Sequence, residues 1–225
     1  MKKVVTIIGA GKGVSLGVAR KFGKEGYTVA LIARTEDKLK KLVQELEYEG
    51  IDAGYAVADA SLPEEIEAAL KKIKELIGAT QVLVYNAARL KAGNILNETS
   101  ESLTEDFKIN VANVITAVKY VIPDMEPGSG SILLTGGGLS IHPIPQYGSL
   151  AIGKAGIRNL AVSLNHALLA KRIYVGTITI SGIVRADDEK YNPDKIGEEY
   201  WKLFTEKKIS KLFTNITLQS KLIGQ

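Results

Sequence analysis

One lysine in the sequence lies where a solvated charge is hard to explain. Lys154 belongs to the segment SLAIGKAGIRNL, residues 149–160, and its immediate neighbours on both sides are small or apolar. A charge in such surroundings is costly unless it has a partner or a task. We therefore predict that Lys154 is a functional residue.

A tyrosine, Tyr147, precedes this lysine at a spacing that can place the two side chains together. It lies seven positions before Lys154 in the segment PIPQYGSLAIGKAG. Seven residues make two turns of a helix, so both side chains can lie on one face if the helix begins early enough. Pro145 and Gly148 leave that start undecided. A loop aromatic that covers the pocket is the alternative interpretation of Tyr147.

A glycine-rich loop near the N-terminus predicts a phosphate site. The segment IIGAGKGVSLG, residues 7–17, follows an apolar run and precedes a helical pattern. Glycine permits a tight turn and a close approach of the backbone to a pyrophosphate, while the next helix presents free N–H groups. A tight turn without a ligand is the alternative. The predicted contacts are Gly9, Gly11, Lys12, Gly13, Val14 and Ser15.

The elements that must position these residues alternate along the chain. Short apolar, β-branched runs predict strands over 3–9, 28–34, 52–58, 81–87, 131–136 and 172–180. Amphipathic stretches predict helices over 14–26, 36–50, 63–78, 102–122 and 149–170. This alternation is typical of βαβ units, so we predict an α/β Rossmann fold: a doubly wound, mostly parallel sheet with helices on both faces. Ligands of such sheets bind outside the carboxyl ends of the strands.

A single domain over residues 1–225 is expected, because the chain shows no linker or internal repeat. Residues 182–208 are polar with one helical stretch over 195–204, and they predict a lid on the substrate side. Within that stretch Tyr200, Trp201 and Phe204 are at helical spacing, which favours a core role over substrate contact. A last strand is only weakly indicated by the segment TNITL.

Composition excludes several classes of function. The chain contains no cysteine, which rules out disulfides, thiolate metal sites and cysteine nucleophiles, and we expect no metal. The net charge of +4 is spread over mixed-charge helices, so we expect no nucleic-acid face. No run approaches the roughly 18 apolar residues of a membrane helix. The short apolar run after Lys3 is read as a first strand rather than a signal peptide, and a cytoplasmic location is expected.

These motifs resemble the short-chain dehydrogenase/reductase family, over nearly the whole chain to about residue 184. The family carries a TGxxxGxG loop, which Gly9 and Gly13 match, whereas Ile8 replaces the threonine and Ser15 replaces the third glycine. A serine at that position is similar to the divergent enoyl-reductase branch, and its hydroxyl would still bond a phosphate. The resemblance implies a nicotinamide cofactor, hydride transfer and a small-molecule substrate.

The end of the second predicted strand bears on the choice between NAD(H) and NADP(H). An acidic residue there would accept from the ribose hydroxyls and repel a 2′-phosphate. This chain has Ala33 and Arg34 instead, with Lys12 in the glycine-rich loop. Two cations favour NADP(H) over NAD(H), because guanidinium and ammonium groups both bind phosphate. A surface arginine and lysine without a role are the alternative.

Two further segments match the family's cofactor motifs in part. In VADAS the resemblance implies contacts of Asp59 and Ala60 with adenine, although a helix-capping role for Asp59 competes. In YNAAR, Asn86 and Ala87 match the family's NNAG motif. The turn SGIV resembles the family's turn at the nicotinamide carboxamide and matches it at Gly182 and Val184.

The family's catalytic group is retained only in part. Asn110 in FKINVANV matches the asparagine of its proton relay, and Lys154 matches the lysine that holds the nicotinamide ribose. Leu150 stands at the tyrosine position and Gly137 at the serine position, so neither can supply a proton. The spacing of Tyr147 from Lys154 is that of the divergent enoyl reductases, and Tyr147 is the substitute acid that this resemblance implies.

Two functions therefore compete at the level of sequence. The first is an NADP(H)-dependent oxidoreductase with an atypical site, which acts on a carbonyl or a conjugated alkene. The second is a catalytically inactive NADP(H)-binding sensor or scaffold protein, favoured by the paired loss at positions 137 and 150. A relic of the fold without cofactor is a third and weaker alternative. The family also implies a homodimer or homotetramer built through the helices over 102–122 and 149–170.

Overall fold

Seven parallel strands form one sheet in the order β3-β2-β1-β4-β5-β6-β7. The computed structural model describes residues 2–207 and 215–219. The strands are Val4–Ile8 (β1), Thr28–Ala33 (β2), Ala53–Val57 (β3), Thr80–Tyr85 (β4), Ser131–Gly137 (β5), Tyr174–Ser181 (β6) and Asn215–Gln219 (β7). The direction of winding reverses between β1 and β4, which is where doubly wound sheets open a crevice for a ligand.

Helices cover both faces of the sheet, as predicted. They are Val14–Lys24 (α1), Glu36–Tyr48 (α2), Pro63–Leu76 (α3), Ser100–Phe107 (α4), Asn113–Val121 (α5), Gly148–Leu168 (α6) and Pro193–Thr205 (α7). The predicted α/β Rossmann fold is confirmed. The weakly indicated last strand is β7, which pairs in parallel with β6, while residue 214 and the termini of the expected 1–225 domain lie outside the described residues.

Two apolar cores sandwich the sheet. All five residues of β1 are buried, because a parallel strand covered by helices on both faces exposes neither side. One core joins the sheet to α3, α5 and α6, and the other joins it to α1, α2 and α7. On the inner face of α1, Val18, Ala19 and Phe22 have no exposed surface.

The helix predicted over 102–122 differs from a single regular helix. It begins earlier, at Ser100, where the side chain of Thr99 accepts a hydrogen bond from Ser102 N–H at 3.2 Å. Residues Lys108–Ala112 form a π-helical segment between α4 and α5. Such segments are rare and occur often at functional sites, since they displace the side chains they carry.

The helical part of the segment predicted as a lid over 182–208 packs against the core. Helix α7 lies against α1, and a Cβ on Gly17 or Gly197 would collide with the backbone of the facing helix. Tyr200 and Leu203 of α7 are fully buried, whereas its polar residues lie on the outer face. That the segment covers a substrate stays a prediction, and residue 208 lies outside the described residues.

The aromatic residues of α7 are core residues, as their spacing predicted. Trp201 and Phe204 pack against Phe22 of α1 with ring centroids 5.1 and 5.4 Å apart. The hydroxyl of Tyr200 shares a hydrogen bond of 2.5 Å with the hydroxyl of Thr135 on β5. Helix α7 therefore holds the end of β5 through the hydrogen bond between Tyr200 and Thr135.

Candidate active site and cofactor cradle

The glycine-rich loop joins β1 to α1 at the reversal of the sheet order. The N–H groups of Gly9 and Ala10 both donate to the carbonyl of Ile32 on β2, at 2.9 and 3.0 Å. Gly9 has φ +87°, and a Cβ here would collide with the backbone of Ala87 after β4. Only glycine fits a position with both restrictions. The tight turn predicted from the sequence is present, and it brings Gly9 and Ala87 together.

The N-terminus of α1 is open to an anion. Helix α1 begins at Val14 after Gly13, which provides no side-chain cap, and its first turn contains no acidic residue. The first N–H groups of a helix have no partner within it and carry the positive end of the dipole. A Cβ on Gly11 would meet no atom within 4 Å, and Lys12 is exposed. The space beside Gly11 is therefore open, and the first N–H groups of α1 have no partner within the helix.

The hydroxyl of Ser15 is engaged inside the protein rather than turned toward a ligand. Ser15 is buried, and its Oγ donates to the Gly9 carbonyl at 2.8 Å. The side-chain amide of Asn86 donates to the same carbonyl at 3.0 Å and to Ser15 Oγ at 2.8 Å. These bonds tie the loop after β4 to the glycine-rich loop. The expected hydroxyl–phosphate bond is thus replaced by a role in shaping the loop, and the backbone N–H of Ser15 is the group left for a phosphate.

Arg34 and Asp59 lie side by side at the ends of β2 and β3. The guanidinium of Arg34 is 3.9 Å from the Asp59 carboxylate, and its side chain is largely exposed. Asp59 Oδ1 accepts from the N–H and the hydroxyl of Ser61, both at 2.8 Å. Burial opposes ionisation of this carboxyl, but the Ser61 bonds and Arg34 outweigh it and hold its pKa below the usual range. Asp59 therefore shapes the turn before α3 and remains beside the cation expected to meet a 2′-phosphate.

The remaining predicted cofactor residues lie on neighbouring loops. The Ala60 carbonyl accepts from the side-chain amide of Asn113 at 2.8 Å, which fixes the turn after β3. In the turn after β6, Val184 Cγ1 would lie 3.8 Å from a Cβ on Gly13. The turn that contains Gly182 and Val184 is thus adjacent to the glycine-rich loop.

Asn110 is buried in the π-helical segment and keeps one unused donor. Its Oδ1 accepts from the N–H of Arg89 at 2.8 Å, and its Nδ2 has no hydrogen-bond partner among the described residues. Tyr85 holds the same segment from β4, because its hydroxyl donates to the Ile109 carbonyl at 2.8 Å. A Cβ on Gly153 of α6 would lie 2.7 Å from Asn110 Nδ2. The orphan amide therefore lies beside the helix that carries Lys154.

Lys154 reaches across the end of β5. Its Nζ donates to the Thr135 carbonyl at 2.8 Å, and a Cβ on Gly137 would lie 3.3–3.5 Å from its alkyl stem. Leu150, one turn earlier on α6, is buried. Burial lowers the pKa of Lys154 to about 8. The alkyl stem of Lys154 therefore lies over Gly137 at the end of β5.

Tyr147 does not belong to the regular part of α6. It is the N-cap residue, with φ −133° and ψ 34°, and about a third of its side chain is exposed. Its segment is bound to the loop after β4, since Gly93 N–H donates to the Gln146 carbonyl at 2.8 Å and Ile95 N–H to the Pro145 carbonyl at 3.0 Å. No hydrogen bond of the Tyr147 hydroxyl is found within residues 2–207 and 215–219. Its role as acid stays a prediction.

One polar cluster beside the site was missed by the sequence analysis. Asp106 on α4 is buried, and its carboxylate accepts from Ser149 Oγ at 2.6 Å and lies 3.3 Å from the Arg89 guanidinium. Asp106 lies four positions before Asn110, one helical turn away. This spacing places its carboxylate on the same helix face as Asn110, and it could have indicated Asp106 from the sequence. The cluster joins the start of α6 to the loop after β4.

The described part of the chain contains neither a cluster of metal ligands nor a membrane-spanning helix. No group of three or more histidine, cysteine, aspartate or glutamate side chains within residues 2–207 and 215–219 is arranged to hold a metal ion. Over the same residues, no helix has the length and apolar character needed to cross a membrane.

Comparisons with known proteins identify the family of the chain. A family model described as short chain dehydrogenase matches residues 3–195. The chain is 27% identical over 203 residues to dehydrogenase/reductase SDR family member 4 of Sus scrofa, covering 89% of this chain and 72% of that protein. It is 25% identical over 202 residues to the 3-oxoacyl-(acyl-carrier-protein) reductase FabG of Staphylococcus aureus, covering 88% and 81%.

The fold is also similar to that of solved enzymes. A variant of the actinorhodin polyketide ketoreductase, crystallised with NADPH, matches with a TM-score of 0.86 at 22% identity, covering 97% of this chain and 96% of that one. The family model spans far more than half of the 225 residues. The chain therefore belongs to the short-chain dehydrogenase family.

Proposed function

We propose that this chain is an NADP(H)-dependent oxidoreductase that transfers hydride to or from a small organic substrate, either a carbonyl or an activated alkene. The observation that carries the proposal is the cofactor cradle, by which we mean the loops that meet where the strand order of the sheet reverses. There the open N-terminus of α1 lies beside the loop after β4 and the turn after β6. The ketoreductase crystallised with NADPH shares this fold, and FabG is a reductase by name, which supports the same reaction class.

The residues of the cradle fit a dinucleotide with a 2′-phosphate. The N–H groups of residues 11–15 are unused donors for a pyrophosphate. Lys12 and Arg34 are exposed cations for the 2′-phosphate, which NAD(H) lacks. NADP(H), when bound, supplies the hydride chemistry. The remaining residues proposed to contact it are Asp59, Ala60, Asn86, Ala87, Lys154, Gly182 and Val184.

The reacting end of the site is proposed to be atypical. Lys154 would hold the nicotinamide ribose, and Asn110 would support proton movement through its unused amide. The spacing of Tyr147 makes it the candidate acid that the sequence offers. Leucine at 150 and glycine at 137 remove the usual proton donor and the usual hydroxyl that polarises a carbonyl.

An assay of NADPH consumption tests this function. Purified protein is offered a panel of ketones, aldehydes and enoyl thioesters, and the rate is compared with Tyr147→Phe. Tyr48→Phe is the matched control, because Tyr48 is almost fully exposed on α2. The proposal expects turnover by the wild type and by the control. If wild type turns over and Tyr147→Phe is unchanged, Tyr147 is not the acid.

A non-catalytic NADP(H)-binding protein is the competing function. It is favoured by the same two substitutions, Leu150 and Gly137, beside an intact cradle. Tight NADPH binding in a fluorescence titration, together with no turnover on any member of the panel, would support it.

We also propose a homo-oligomer, a dimer or a tetramer, assembled through α4, α5 and α6. Phe107 and Ile152 support this, because each exposes more than a third of its apolar side chain on these helices. Light scattering coupled to gel filtration measures the mass of the particle, and a monomer would contradict the assembly.

A further inference from the structure

The ammonium of Lys154 stands alone at the end of β5. Its Nζ donates one hydrogen to the Thr135 carbonyl at 2.8 Å. An ammonium has three donors, so two remain for a substrate or cofactor. No carboxylate lies within 4 Å of it in the described part of the chain, residues 2–207 and 215–219. Lys154 is therefore a cation without an ion pair in a shielded place.

The substitutions at 137 and 150 make room for this arrangement. The Lys154 stem packs over Gly137, where any side chain would need 3.3–3.5 Å contacts with Cγ, Cδ and Cε. Leu150, at the position before it on the same helix face, brings only alkyl surface. Of the positions 137, 150 and 154, only 154 carries a hydrogen that can be transferred.

We propose that Lys154 itself donates the proton to the substrate oxygen, in place of a tyrosine, during reduction of a carbonyl. The inference rests on the proposed function, which supplies the reductant as NADPH. As hydride adds to the carbonyl carbon, the π pair of the C=O bond moves to oxygen and takes a proton from Nζ. One N–H bond breaks, one O–H bond forms, and the neutral amine regains its proton from water.

The surroundings of Lys154 suit it to this task. A general acid works best when its pKa is close to the working pH, and burial lowers the pKa of Lys154 to about 8. At pH 7 most of the side chain is still protonated, so a proton is available. A phenol with a pKa of about 10 is a weaker acid. The adjacent Asn110 amide offers a second hydrogen bond near the same helix.

Four other titratable groups on the packed elements have partners elsewhere. The carboxylate on α4 is paired with the arginine after β4, and the tyrosines on β4 and α7 bond Ile109 and Thr135 respectively. The loop before α6 carries a tyrosine and a histidine. In the order of description, the six groups are Asp106, Arg89, Tyr85, Tyr200, Tyr147 and His142.

The lack of cysteine makes a direct test possible. In Lys154→Cys the new thiol is the only one in the chain, and 2-bromoethylamine converts it into a thioether amine that is a weaker base than lysine. Loss of a general acid lowers kcat by about 10²-fold or more, and alkylation should restore much of that loss. The rate is kcat at saturating NADPH, so that weaker ribose binding does not enter.

The pH profile of kcat then identifies the donor. With Lys154 as acid, wild-type kcat falls above a pH of about 8. This descending limb of the pH profile moves to lower pH in the alkylated variant. Tyr48→Phe, at the exposed end of α2, should keep both the rate and the descending limb of the profile. An unmoved limb in the alkylated variant would overturn the proposal, as would a limb that moves in Tyr147→Phe.

A second readout does not depend on turnover. Trace acetylation at a series of pH values, read by mass spectrometry at Lys154 with exposed Lys38 as reference, reports how the amine titrates. A midpoint near 8 supports the proposal, and a midpoint near that of free lysine, about 10.4, overturns it. NADPH binding without turnover by wild type would instead refute the proposed function, and this inference with it.

Discussion

Replacing Lys154 should stabilise the protein, because its ammonium is held where water is largely excluded. The pKa falls from the model-compound value of 10.5 to about 8 through burial. Between these two values the unfolded chain binds a proton that the folded chain has released. Unfolding then takes up a proton, so stability rises with pH in this window; below pH 8 both states are protonated and the full cost is present.

The size of the effect follows from the same shift. A difference of 2.5 between 10.5 and 8 corresponds to about 3 kcal/mol at about 1.36 kcal/mol per pH unit. Lys154→Met keeps an unbranched side chain over Gly137 but loses the bond to Thr135, which contributes about 1 kcal/mol. The variant should therefore be more stable than wild type by roughly 2 kcal/mol at pH 7.

The assay is urea unfolding of both proteins from pH 7.5 to 9.5. Wild type should gain about 2 kcal/mol relative to Lys154→Met over this range, following the linkage relation. Lys207, whose pKa burial also lowers to about 8, contributes equally to both proteins and cancels in the difference. The reasoning would be refuted if the difference in free energy of unfolding between the two proteins did not change with pH over this range. A variant less stable than wild type at pH 7 would refute it as well.

Three further predictions concern the cradle and the π-helical segment. Lys12→Glu combined with Arg34→Asp should shift the ratio of dissociation constants from NADPH toward NADH, and unchanged selectivity would remove the assignment of the 2′-phosphate site. Gly9→Ala should destabilise the fold by about 3 kcal/mol, because φ +87° and a blocked Cβ leave no room; a melting temperature equal to wild type would contradict this. Tyr85→Phe should cost about 1–2 kcal/mol in urea unfolding, since it removes the hydrogen bond from the buried Tyr85 hydroxyl to the Ile109 carbonyl, and an unchanged midpoint would contradict this.

Local patterns predicted most of the architecture. The strand β1 and the turn at Gly9 were visible in the sequence because burial on both faces and a glycine-only turn each act over a few neighbouring residues. The apolar positions of α1 followed from helical periodicity in the same way. Features of this kind depend on the chain's neighbours along the sequence.

Contacts between distant parts of the chain were not predictable in this way. Ser15 meets Asn86, which is 71 positions later, so the task of its hydroxyl depends on the assembled sheet. Asp106 meets Ser149 across 43 positions, and its burial is a result of helix packing that no local pattern indicates. Helix α7 was taken for part of a lid because its polar face was conspicuous and its partner α1 lies far away in the sequence.

Transfer of label from NADPH to product tests the central claim most directly. The protein is incubated with the carbonyl and enoyl-thioester panel and with NADPH that is deuterated at the transferable position. The masses of the products are then measured by mass spectrometry. The account predicts that at least one product gains a single deuterium, faster with NADPH than with NADH. NADPH binding without deuterium in any product would contradict it and favour the non-catalytic alternative.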